Sequence, residues 1–254
     1  MEYLYIEKKK DQLYSVYHEP TIFDYEEYGV ILCYPYGQEY IRCHKLYTNL
    51  ATKLAQEGFH TLRFDYYGTG DSSGDFSEIN SMDQSLEDIE LAVKELKEAC
   101  GVKKVFLIGA RIGATLALLH SKKAKIDGLV LWSPITSGKN YLNEISSNYK
   151  EWLEGSFTNE NELPKGAISS FGFLYNASLV NSIQSIEFTK EDFLTQFPTL
   201  IIDQDDPKNL GTIEQVTFEN IINKEFWLKR EKEKDKSLVP VQEINKIINW
   251  IKTV

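Results

Sequence analysis

Apolar runs of strand length alternate along this chain with longer amphipathic stretches, the pattern of an α/β domain built on a mainly parallel sheet. Tyr3 to Ile6 and Leu13 to Tyr17 alternate and predict an antiparallel edge. Gly29 to Tyr34 (GVILCY) is apolar almost throughout, as a strand covered on both faces is, and Ile41 to Gln56 then takes helical spacing. His60 to Phe64 predicts the next strand. After the loop Asp65 to Asp75, the stretch SMDQSLEDIELAVKELKEAC has a Ser or Asp start and late lysines, so a capped helix is expected, followed by strand Lys104 to Ile108. Gly128 to Trp132, Thr199 to Ile202 and Lys224 to Leu228 predict three more strands, about eight in all, and Val239 to Lys252 a closing helix. Between Thr136 and Phe197 the alternation breaks into aromatic and polar residues. A small helical lid over 136–197 is expected there, inserted into a core formed by 1–135 and 198–254.

Composition narrows the picture. The chain has 254 residues, 42% hydrophobic and 26% charged, enough apolar material for one domain with a sizeable core. A net charge of −10 and the absence of any long basic run argue against nucleic acid and anionic membrane as partners. No export signal and no stretch of eighteen apolar residues is visible, so a cytoplasmic location is expected. Cys33, Cys43 and Cys100 form no CxxC pair, which suggests neither a zinc site nor a disulfide framework, and no cofactor is expected.

The segment richest in chemistry is KKVFLIGARIGATLALLH, where a strand runs into Gly109, Ala110, Arg111, Ile112 and Gly113 and then a helix. This is the context of a nucleophile elbow, whose glycines let strand and helix approach closely and whose middle residue sits on a strained turn pointing out of the sheet. That residue is Arg111. With RFDYYGTGDSSGD (Arg63 to Asp75) and YPYGQE (Tyr34 to Glu39) after the two preceding strands, the chain resembles the α/β-hydrolases of the serine aminopeptidase-like group. Within that group it is most similar to the hydrolase-like proteins encoded beside exosortase protein-sorting systems.

The resemblance implies a nucleophile at the position of Arg111, an acid after strand Thr199 to Ile202 and a histidine after strand Lys224 to Leu228. Asp203, Asp205 and Asp206 occupy the acid loop, but Arg230 to Leu238 contains no histidine, and His18, His44, His60 and His120 all lie in the first half. An arginine holds its proton too tightly to serve as nucleophile or base. The oxyanion donors the family uses would here be the N–H groups of Ile112 and Tyr36, beside Gly37. Arg111 next to them would make an anion site at a helix start, or else an internal salt bridge with Glu39 or an acid of Asp203 to Asp206 that plugs the pocket.

The remaining candidates have plain readings beside sharp ones. Glu39, Arg42 and His44 are expected to form a local salt-bridge cluster or touch ligand; Cys43 beside His44 points away from it on a helix and is a poor replacement nucleophile. Cys33 is expected in the core, Ser133 at the carboxyl edge of the sheet lining the pocket, and His120 at the surface near a helix end. Tyr141, Tyr149, Trp152, Phe157, Phe171, Phe173 and Tyr175 would pack the lid or roof an apolar substrate site. Three functions follow. The first is a noncatalytic protein, degenerate at the triad, that binds a small anionic or acylated ligand or a protein partner in an accessory role. The second is a hydrolase or acyl-transfer enzyme with non-triad chemistry, Arg111 stabilising charge and Glu39 or Asp205 acting as base. A dinucleotide-binding oxidoreductase fails the glycine spacing.

Overall fold

A computed structural model describes residues 1–156, 163–206, 213–221 and 240–254. Among the described residues eight strands form one sheet in the order β1-β2-β4-β3-β5-β6-β9-β10. β1 (Glu2–Lys8) and β2 (Asp11–His18) form the antiparallel edge, and β2 runs antiparallel to β4 (His60–Phe64). From β4 onward through β3 (Tyr28–Cys33), β5 (Lys104–Ala110), β6 (Gly128–Trp132), β9 (Thr199–Asp203) and β10 (Val216–Asn220) the pairing is parallel. The central strands are the uninterrupted apolar runs: every residue of β6 and β9 is buried, because helices cover both faces.

On one face α1 (Gly37–Gln56) and α6 (Val241–Ile251) are joined by Lys53 Nζ donating to Asn245 Oδ1 at 3.3 Å and by a Lys252–Glu57 ion pair. On the other, α2 (Met82–Cys100) packs against α3 (Ile112–Ser121). α2 starts after Ser81 and stops at Gly101, which takes a left-handed φ of 69°. The stretch between β6 and β9 holds α4 (Gly138–Glu154), a hairpin of β7 (Ile168–Ser170) and β8 (Phe173–Tyr175), and α5 (Ala177–Gln184). The hairpin was not expected in a helical insertion. Among the described residues no helix is long and apolar enough to cross a membrane.

Among the described residues the sheet ends with Val216–Asn220, and the expected strand Lys224 to Leu228 and the charge run after it lie outside them. β10 mixes polar and apolar residues and is only half buried, as an edge strand is, so it lacks the apolar signature of its neighbours. One expectation changes at the end of a helix. His120 is not a surface residue: it is 3% exposed, with Nε2 2.9 Å from Glu90 on α2. The helix IGATLALLH is apolar nearly all round and is therefore enclosed nearly to its last turn.

Candidate functional site

The sheet register brings the chemistry to one edge. Cys33 pairs with Gly109, Ala110 with Trp132, and Trp132 with Ile202, so Tyr34 to Tyr36, Arg111, Ser133 and Asp203 stand side by side at the carboxyl ends of the strands. Arg111 forms the turn from β5 to α3 with φ 54° and ψ −126°, a conformation that costs an L residue about 1–3 kcal/mol. The glycines permit it. A Cβ on Gly113 would strike the carbonyl oxygens of Cys33 and Tyr34, and one on Gly109 the carbonyl of Gly113. The Arg111 N–H donates to the Trp132 carbonyl at 2.9 Å, which ties the turn to the next strand.

The Arg111 side chain is 3% exposed and lies between two carboxylates. Its Nε donates to Glu39 Oε1 at 2.8 Å and its Nη2 to Glu144 Oε2 at 2.7 Å. Glu39 is buried in the first turn of α1, where its other oxygen accepts from the Tyr141 hydroxyl at 3.3 Å; Glu144, on α4, stays partly exposed. Burial pushes the Glu39 carboxyl up, against the pull of Arg111. Burial also opposes the Arg111 charge, but the two carboxylates outweigh it and hold the guanidinium protonated beyond its ordinary range. Of the partners expected for Arg111, the structure selects Glu39 over the acids of Asp203 to Asp206, and it adds Glu144. Glu144 carries no sequence signal, since which face of α4 meets the elbow is decided by how the insertion folds back.

What remains open beside the pair is a cavity of about 20 Å³, lined by Tyr36, Glu39, Tyr141, Ile145, Phe171 and Tyr175, with room for about one water. Tyr36 is buried, its hydroxyl 2.6 Å from Ser85 Oγ. Gly37 has φ 58°, and a Cβ there would run into the Tyr175 hydroxyl. The N–H groups of Ile112 and Tyr36 find no acceptor among the loop and cap hydrogen bonds of the described residues, so both stay available at the elbow. Tyr141 and Tyr175 thus close over the ion pair, whereas Tyr149 stacks on Trp152 and Phe171 meets both rings at an angle; Phe157 lies outside the described residues.

Other expected residues are placed as follows. Ser133 does not line the cavity: it is 1% exposed, at φ 46°, and its hydroxyl has no hydrogen-bond partner among the described residues. Asp203 is the buried acid of its loop, with Oδ1 accepting from the Gln204 N–H at 2.8 Å, while Asp205 is exposed. Cys43 is buried and its thiol pushed well up by burial; His44 is exposed on another side of α1. All three cysteines are free. None of the four histidines meets Arg111. His18 accepts from Arg63, His60 pairs with Tyr17 at 2.6 Å, and His120 pairs with Glu90. The expected histidine position, Arg230 to Leu238, lies outside the described residues. Among the described residues no group of three or more metal-binding side chains is assembled.

Known proteins place this geometry. The family described as serine aminopeptidase, S33, matches residues 40–172. A proline iminopeptidase of Thermoplasma volcanium is 36% identical over 88 residues, 34% of this chain, a stretch that spans only 29% of that relative's length. Among solved structures, a soluble variant of the monoglyceride lipase of Saccharomyces cerevisiae shares 16% identity with a TM-score of 0.68, covering 99% of this chain and 94% of its own. The proline iminopeptidase of Mycobacterium smegmatis shares 11% with a TM-score of 0.63, covering 99% and 98%. These likenesses show the fold. Sheet order, elbow and family match agree, and the chain belongs to the serine aminopeptidase S33 family of α/β-hydrolase-fold proteins.

Proposed function

We propose that this chain is a noncatalytic member of its family, degenerate at the triad, that binds a small anionic or acylated ligand, or a protein partner carrying such a group, in an accessory role in the cytoplasm. One observation carries the reading: the elbow position holds an arginine clamped by Glu39 and Glu144. A guanidinium cannot attack a carbonyl or take up a proton. The four histidines are engaged or placed elsewhere, so no histidine stands beside Ser133 or Asp203. Glu144 presents a carboxylate to Nη2 from a partly exposed position, and a ligand carboxylate of similar geometry would take its place as the 136–197 segment, acting as a lid, gives way. The resemblance to hydrolase-like proteins encoded beside protein-sorting systems points the same way.

The test pairs turnover with binding. Short and long p-nitrophenyl esters are expected to show no turnover above a protein-free blank. Hexanoate is expected to bind more tightly to Glu144→Gln, which frees Nη2, and not to bind Arg111→Met. Ester turnover by the wild type that disappears in Arg111→Ala would overturn the reading in favour of a hydrolase or acyl-transfer enzyme with non-triad chemistry. That second reading has its own support in the available Ile112 and Tyr36 N–H groups beside a cation, with Glu39 or Asp205 as the base.

A further inference from the structure

Arg63 repeats the problem of Arg111 without its solution. It lies on β4, 7% exposed, with Nε donating to His18 Nε2 at 3.1 Å and Nη1 to the Tyr34 hydroxyl at 3.0 Å. Both partners are neutral. His18 must keep its Nε2 lone pair free to accept, and burial, aided by the Arg63 charge, lowers its pKa to about 4; burial likewise keeps Tyr34 protonated. Among the described residues no carboxylate comes within ion-pair distance of the guanidinium, and Nη2 makes no hydrogen bond. The nearest acid along the strand, Asp65, spends its oxygens on the Tyr40 hydroxyl at 2.9 Å and the Asp71 N–H at 3.0 Å. A buried cation normally has a counter-ion.

Arg63 also borders an open groove of about 290 Å³ between the β1–β2 edge, β4 and the outward side of α1. Tyr3, Tyr14 and Tyr40 form its aromatic walls, with Thr48 on α1 and Asp71 at its rim. The groove is separate from the elbow. Glu39 faces Arg111, whereas Tyr40, His44 and Thr48, spaced by four residues, face the groove. We propose that this groove is a second ligand site, which takes a small aromatic monocarboxylate with its carboxylate on Arg63 and its ring against the tyrosines. The size sits at the lower end of small-molecule pockets. Asp65 and Asp71 line the same groove, beyond ion-pair distance of Arg63, and turn away dianions such as phosphate, while one carboxylate matches one guanidinium without an ion-pair partner among the described residues.

Benzoate is the probe and benzamide, of the same shape without the charge, its control, both followed by ligand-observed NMR titration. Benzoate is expected to saturate the wild type and benzamide to bind at least about tenfold more weakly, the loss of one charge-assisted contact. Thr48→Trp fills the groove from α1 without touching Arg63 and is expected to abolish binding, as is Arg63→Met; if Arg63→Met does not fold, Thr48→Trp still decides. Arg111→Met, which removes the cation of the elbow, is expected to leave benzoate affinity unchanged, and benzoate binding lost in that variant would place the ligand at the elbow and overturn the assignment. Equal binding of benzoate and benzamide, binding that survives Thr48→Trp, or no saturation by about 10 mM would overturn the assignment.

Discussion

Replacing Glu39 by Gln removes one charge 2.8 Å from Arg111 Nε and keeps the shape of the side chain. Two opposite charges about 4 Å apart at an effective dielectric near 20 attract by about 4 kcal/mol, and breaking a buried pair by removing one partner costs about 3–5 kcal/mol. Glu144 still faces the cation from a partly exposed position, which puts the expected loss near the lower figure, about 3 kcal/mol. For a chain of this size that is a fall of about 6–12 °C in Tm. Arg111→Met is expected to cost less, because Glu39, already held up by burial, takes a proton once its partner is gone. The double variant removes both charges and should be more stable than Glu39→Gln alone, a coupling of about 2 kcal/mol or more in a double-mutant cycle. Urea unfolding at pH 7 monitored by circular dichroism measures all four proteins. A Glu39→Gln variant within about 1 kcal/mol of wild type, or single effects that add to within about 0.5 kcal/mol, would refute the view that the elbow is held by this ion pair.

Three further outcomes follow from the same geometry. Ser133→Gly should raise stability by about 1 kcal/mol in the same assay, since it relieves a positive φ and removes a buried hydroxyl that has no partner among the described residues. Gly113→Ala should cost about 3 kcal/mol or abolish soluble expression, because its Cβ meets the Cys33 and Tyr34 carbonyls, backbone atoms with no room to retreat. His18 binds its proton near pH 4 when folded and near pH 6.5 when unfolded, so the unfolded chain takes up more protons between these values and stability falls as pH drops through that window, by about 3 kcal/mol at most. His18→Gln, which still offers Arg63 an acceptor, should flatten that slope. The comparison with wild type isolates it, because Glu39, Asp65 and Asp88, raised by burial, act in the opposite direction. Identical slopes in the two proteins would exclude a buried neutral His18.

What could be read from the sequence follows how each element is buried. Strands such as GVILCY, GLVLW and TLII lie between two helical layers, so each position is apolar and their limits come out within a residue or two. The helix after YPYGQE begins at Gly37, four residues before its periodic pattern, since Pro35 and Gly37 read as turn residues until the fold supplies Tyr175 to pack where a Cβ would be. β10 is half exposed and offered no pattern to read. At the site, desolvation alone required a partner for Arg111, and Glu39 was within reach of that argument; Glu144 was not, because the rotation of α4 is a tertiary outcome. Arg63 looked like one letter of the RFDYYGTGDSSGD motif. Its surroundings come from β2, β3, β4 and α1 together, and only their assembly shows a cation whose hydrogen-bond partners are neutral and which borders an open groove. The two arginines have the same chemistry and nearly the same burial. One sits where the insertion and α1 each deliver a carboxylate and the space closes to about 20 Å³; the other sits where no carboxylate of the described residues comes within ion-pair distance and about 290 Å³ stays open. The counter-ion missing at the second must come from water and salt or from a ligand, and the aromatic walls there favour an organic anion over a solvated one.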